Sequence, residues 1–268
     1  MEKEKILEND ERLQSIVWKD LLVLTKFEVF YELVISLPWL ILSFLAVMED
    51  IYILALAFSF MFFLTGLRQV HNASHYALGT SKAVTESVLF VLSILMLGSM
   101  HAVQINHLRH HKFFPDKNED IEAISINMSP LGAILIGPIF PFLLHIKALK
   151  VGNEEQLRWI YFELLGNALW ITIIFTLLEY TWLQYHVIAM SIGQCLTAFF
   201  AVWTVHHDCD PMEGVARTIR NKYKAVITYK MFYHLEHHLF AAVPTCHLDI
   251  LAKRLDAAMP ELSKKCVY

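Results

Sequence analysis

The sequence predicts an all-α integral membrane protein: two transmembrane helical hairpins, four spans in all, under a cytoplasmic helical cap that carries clusters of histidine. Three observations predict it. The composition is apolar, with 56% hydrophobic and 18% charged residues and a mean hydropathy of +0.45, against ~25% charged in an average soluble domain. Four apolar stretches approach the ~20 residues that a bilayer crossing demands. The 14 histidines of the 268 residues gather in short repeated patterns.

The spans are expected at about 27–48, 51–67, 162–178 and 183–203. The first two are joined only by Met48, Glu49, Asp50 and Ile51, the last two by Glu179, Tyr180, Thr181 and Trp182, so each pair reads as a hairpin. Val84–Met100 and Leu131–Ile146 are weaker apolar segments, the first carrying Glu86, the second broken by Gly137, Pro138 and Pro141. They fit interfacial, re-entrant or buried helices rather than full spans. All 22 Lys and Arg lie in the N-terminal tail, the middle segment from Arg68 to Arg158, or the C-terminal tail; the two short turns hold only Glu49, Asp50 and Glu179 as charges. The positive-inside rule then puts both termini and the middle segment in the cytoplasm.

The whole chain, 1–268, reads as a single domain. Its polar start, MEKEKILENDERLQ, lacks the features of a secretory leader. Cys195, Cys209, Cys246 and Cys266 form no CxxC pair and are expected to be reduced packing residues. A net charge of -4 argues against a nucleic-acid partner.

His71 and His75 form an HxxxH; His107, His110 and His111 form an HxxHH; His234, His237 and His238 form a second HxxHH; His206 and His207 are adjacent. Chance would supply about 0.04 HxxHH matches in a chain of this composition, so two are not an accident of histidine content. Residues i, i+3 and i+4 share a helix face, so each cluster can direct two or three imidazoles at one place. The clusters fall at the cytoplasmic ends of the two hairpins. Eight or nine imidazoles exceed what one metal takes, and two metals with four or five ligands each fit better. Imidazole suits iron, zinc, copper and nickel. The absence of HExxH and the number of ligands favour iron over a hydrolytic zinc. Of the adjacent pair, His207 is favoured as a ligand over His206. Asp208, Asp210 and Glu236 are candidates to orient ligands through their far ring nitrogens. His101, His145, His186 and His247 are expected to have other roles.

These boxes between paired apolar hairpins resemble the membrane fatty acid desaturase superfamily, which also contains alkane hydroxylases, carotenoid ketolases and alkene-forming decarboxylases. The resemblance runs from about Phe27 to Leu255. It is most specific in Arg217–Asn221, His234–Phe240, Val243-Pro244 and His247-Leu248. It implies two iron ions held by the eight box histidines and one further ligand at His206 or His207. It also implies an acyl or similar aliphatic substrate, O2, and electrons from an external carrier such as ferredoxin, rubredoxin or cytochrome b5. The sequence departs from the pattern at Asn72, where many relatives have an acidic residue, and at Ala241, where Pro is usual. His234 stands where front-end desaturases have Gln. Desaturation is the leading expectation; hydroxylation or oxidative decarboxylation by the same centre is the alternative. A metal transporter would want ionisable residues at the bilayer midplane, and a di-haem protein would want histidine pairs inside the spans; these spans lack both. The basic residues Arg217, Arg220, Lys222, Lys224 and Lys230 fit either an acidic carrier or anionic lipid.

Overall fold

The computed structural model describes residues 10–209, 216–264 and 267–268. Asp210 and Cys266 lie outside the described residues. Numbering α-helices of six residues or more, α1 is Lys26–Val34, α2 Leu37–Met48, α3 Tyr52–Ser74, α4 Lys82–Met96, α5 Met100–Phe113 and α6 Pro130–Leu135. They continue as α7 Phe140–Val151, α8 Glu154–Ile173, α9 Thr181–Gln194, α10 Lys222–Ile227, α11 His234–Leu239 and α12 Leu248–Ala258. The described residues form no sheet, only an isolated bridge between Thr218 and Val267.

Among the described residues, three helical stretches are long and apolar enough to cross a membrane: Lys26–Met48, Tyr52–Ser74 and Glu154–Leu178. The fourth expected span is not one straight helix. It is α9 followed by a second helical piece, Ala198–His206, bent by 45°. The weaker segment at 84–100 becomes α4, which meets α5 at 112°. Leu97 makes that corner by taking the left-handed region at φ 59°, and the Ser93 hydroxyl donates to Gly98 O. Gly137 allows another close approach: a Cβ there would stand 1.7 Å from Cys195 O.

The second span runs seven residues beyond its expected end and takes Arg68 inside. Arg68 is 1% exposed and donates two hydrogen bonds to the Glu32 carboxylate, at 2.7 and 2.6 Å. A buried arginine is tolerable only with such a partner, and the sequence pattern did not join residues 36 positions apart. The first hairpin is further stitched by Ser43 to Ser59 at 2.7 Å and Ser36 to Gln69 at 2.7 Å.

The two largest apolar clusters among the described residues are distinct. One lies among the apolar helices around Phe62, Phe63, Leu89, Met96 and Met190. The other lies in the C-terminal part around Ile219, Leu235, Val243, Leu251 and Leu255. The histidine boxes sit where the two meet. Cys195, Cys209 and Cys246 form no disulfide.

Candidate metal centre

Helix geometry decides how the boxes are shared out. At 3.6 residues per turn, positions i and i+4 differ by only ~40°, whereas i+3 and i+4 differ by ~100°. Each HxxHH therefore points in two directions. His107 and His111 of α5 turn one way and His110 another; His234 and His238 of α11 turn one way and His237 another. The result is two groups of donors. His71, His75, His107 and His237 have ligand atoms all within 4.8 Å of one another, and so do His110, His206, His234 and His238. His111 joins the first group: its Nε2 is 3.2 Å from that of His107 and 2.9 Å from that of His237.

The second group meets Nε2 to Nε2 as well. His206 lies 3.0 Å from His110 and 3.1 Å from His234, and His234 lies 3.2 Å from His238. A metal with bonds of about 2.0–2.1 Å to imidazole sets neighbouring ligand nitrogens ~3 Å apart at octahedral angles. The observed separations match that spacing. His71 Nε2 and His75 Nε2 are buried with no hydrogen-bond partner, a costly state that a metal ion would relieve. Burial pushes His234, His237 and His238 well below the ordinary imidazole range, so at pH 7 they are neutral and offer lone pairs. The residues present therefore fit two metal ions.

Tautomers are fixed from behind. Asp120 Oδ2 accepts from His110 Nδ1 at 2.8 Å, and Glu122 lies 3.5 Å from His107 Nδ1. With the proton on Nδ1, Nε2 of each ring is bare and aimed into the cluster. These two carboxylates were missed by the sequence reading. Their only signal is an acidic run, Glu119-Asp120-Ile121-Glu122, that folds back on α5. Asp120→Asn is expected to weaken metal retention roughly 10–100-fold, measured by chelator titration. Unchanged retention would show that Asp120 does not tune His110.

Of the three carboxylates expected in this role, the two within the described residues are placed differently. Asp208 is exposed, and Asp210 is outside the described residues. Glu236 is buried but accepts from Thr218 Oγ1 at 2.6 Å and pairs with Arg220 at 2.8 Å. It organises the 217–220 segment rather than a histidine ring.

His207 also stands apart. Its Nδ1 donates to Trp203 O at 2.9 Å and its ring stacks on Trp203 at 3.9 Å. The preference for His207 over His206 is thus reversed by position. The cause is the π-helical turn Ala198–Trp203. A π turn takes in one residue more than an α turn, so the face beyond it rotates by roughly one residue.

The four histidines outside the boxes have partners elsewhere. His101 lies between Glu163 at 2.7 Å and Glu86 at 2.5 Å. His145 takes the Ser99 N–H and donates to Pro141 O. His186 bonds Leu95 O, and His247 bonds Leu21 O and Glu28.

A cavity walled by Leu67, Val70, Val103, Phe140 and Phe200 reaches His71, His107 and His234. An apolar slot ending on a cluster of imidazoles suits an aliphatic chain.

The profile of the fatty acid desaturase family matches residues 50–267. The chain belongs to that family. No curated protein matches it. Membership makes this desaturase-family chain an oxidoreductase of the desaturase and hydroxylase type, and with its apolar helices a multi-pass membrane protein.

Proposed function

We propose that this chain is an O2-dependent di-iron oxidoreductase that introduces a double bond into an acyl or similar aliphatic chain. The observation that carries the reading is the pair of all-histidine donor groups at the end of an apolar cavity. His71, His75, His107, His111 and His237 hold one iron; His110, His206, His234 and His238 hold the other. The two irons supply the oxidising power that an unactivated C–H bond demands. The protein supplies the rest. Asp120 and Glu122 keep the Nδ1 protons of His110 and His107 in place. The cavity walls exclude water and align methylene groups with the centre, where small displacements decide the outcome. Reducing equivalents come from a carrier of the ferredoxin, rubredoxin or cytochrome b5 type.

The membrane arrangement proposed is four spans, the fourth being the bent α9 and Ala198–His206 pair, with the termini and the metal centre on the cytoplasmic side. The distribution of all 22 Lys and Arg away from the two short turns supports it.

The test is metal analysis of detergent-purified protein from iron-replete cells, with lipid profiling of the same cells. Close to two irons per chain are expected, lost in His107→Ala/His237→Ala, together with an unsaturated product that needs O2. Stoichiometric zinc that iron reconstitution cannot convert into O2-dependent activity would overturn the redox reading. An alcohol product would move the reaction to hydroxylation.

A further inference from the structure

Helix α10 buries one residue, Ala225, and turns three large apolar ones outward. Tyr223, Val226 and Ile227 are exposed by 71%, 71% and 73%. Spaced i, i+3 and i+4, they share one face of the helix. This patch is on the C-terminal part of the chain, well outside the candidate spans.

The patch is continuous with the lipid-facing surface. Val226 and Tyr229 share a notch with Phe27 and Tyr31, which belong to the Lys26–Met48 span. Phe27 and Phe30 are themselves 76% and 61% exposed, as side chains against acyl chains are. The Tyr229 hydroxyl accepts from Trp39 Nε1 at 3.0 Å, and Arg68 Nε donates to Tyr229 O at 2.9 Å. The segment after α10 is therefore pinned to the first two spans. The basic residues nearby divide in two. Arg220 is paired with Glu236 and Asp256, and Lys230 with Asp249. Lys222 and Lys224 flank the apolar patch on exposed positions, as does Lys26 at the start of the span.

We propose that α10 is a membrane foot. Its Tyr223–Val226–Ile227 face sits at the boundary of headgroups and acyl chains, and Lys222 and Lys224 meet anionic phosphates. Apolar residues on one face with lysines at its edge are the composition of an interfacial helix, and a tyrosine belongs at that depth. A soluble redox carrier is the poorer occupant, because the patch runs directly into the surface that lipid already covers. The foot connects to the metal centre by a short tether: Thr228–Met231 follows it, and Met231 lines the cavity that reaches His71. The inference rests on the multi-pass membrane assignment and not on which oxidation the centre performs.

The test is photocrosslinking of the full chain in vesicles of phosphatidylcholine with one-fifth phosphatidylglycerol. Ile227→p-benzoylphenylalanine is compared with the same substitution at Phe30, on the first span, and at Lys117, on an exposed loop. Mass spectrometry reads the adducts, and iron content is measured on each sample. Lipid adducts at position 227 as abundant as at position 30, and severalfold above position 117, are expected whether or not iron is bound. Adducts at 227 no higher than at 117, while position 30 labels normally, would overturn the proposal. So would adducts at 227 that are predominantly to protein. Loss of iron with normal lipid labelling at 227 would count against the redox reading alone.

Discussion

Alanine at His206 is expected to remove one of two irons, while alanine at His207 removes neither. His206 Nε2 lies 3.0 and 3.1 Å from the Nε2 atoms of His110 and His234, at the middle of the second donor group. His207 faces away, its ring flat on Trp203 and its Nδ1 committed to Trp203 O. His206→Ala should therefore lower iron from about two to about one per chain and reduce turnover by at least ~100-fold, since even a residue behind a ligand is worth 10–100-fold. His207→Ala loses one aromatic contact and one hydrogen bond, both to Trp203 and each worth about 1 kcal/mol, and should keep its iron and most of its activity. Metal analysis and turnover on both variants, with thermal unfolding as a check on folding, decide the matter. The reverse pattern, iron lost from His207→Ala and kept in His206→Ala, would mean that the π-helical turn does not set the register of this helix end.

That turn also marks where the sequence stops being readable. The boxes are legible because their logic is local: three or four residues of one helix suffice to show that His107, His110 and His111 cluster on adjoining sides of one helix end. The division of each box between two donor groups follows from the same angles, but only once the partners are known. His237 meets His71 and His111, which lie far from it along the chain, and no periodicity reports such a meeting. The apolar runs locate the spans, yet they end them at Arg68, because a charge in a sequence looks like the edge of the membrane. Glu32 removes that meaning by pairing with it. Asp120 and Glu122 were hidden for a similar reason: a carboxylate in a polar loop looks solvated until the loop folds back on α5. Apart from the register shift at the π-helical turn, what was missed is a pairing of polar groups brought together by the fold, whose partners a one-dimensional pattern cannot supply.

The same kind of pairing makes Asn72→Asp a costly change, even though it restores the acidic residue that many relatives carry there. Asn72 uses both ends of its amide. Nδ2 donates to Glu32 Oε2 at 2.8 Å, and Oδ1 accepts from Thr245 Oγ1 at 2.6 Å and Thr245 N at 3.2 Å. Glu32 is fully buried and already takes two bonds from Arg68. Aspartate keeps the Thr245 side and loses the Glu32 side, setting two carboxylates in contact where no water reaches. The unmet bond alone costs roughly 1–3 kcal/mol, and more for a charged group. In a chain of this size each kcal/mol shifts the unfolding midpoint by about 2–4 °C, so a fall of several degrees is expected. The strain falls on the last turn of α3, between His71 and His75, so retention of the first iron should weaken with it. If Asn72→Asp unfolds like the wild type, the buried Glu32 carboxylate does not oppose a second carboxylate at residue 72.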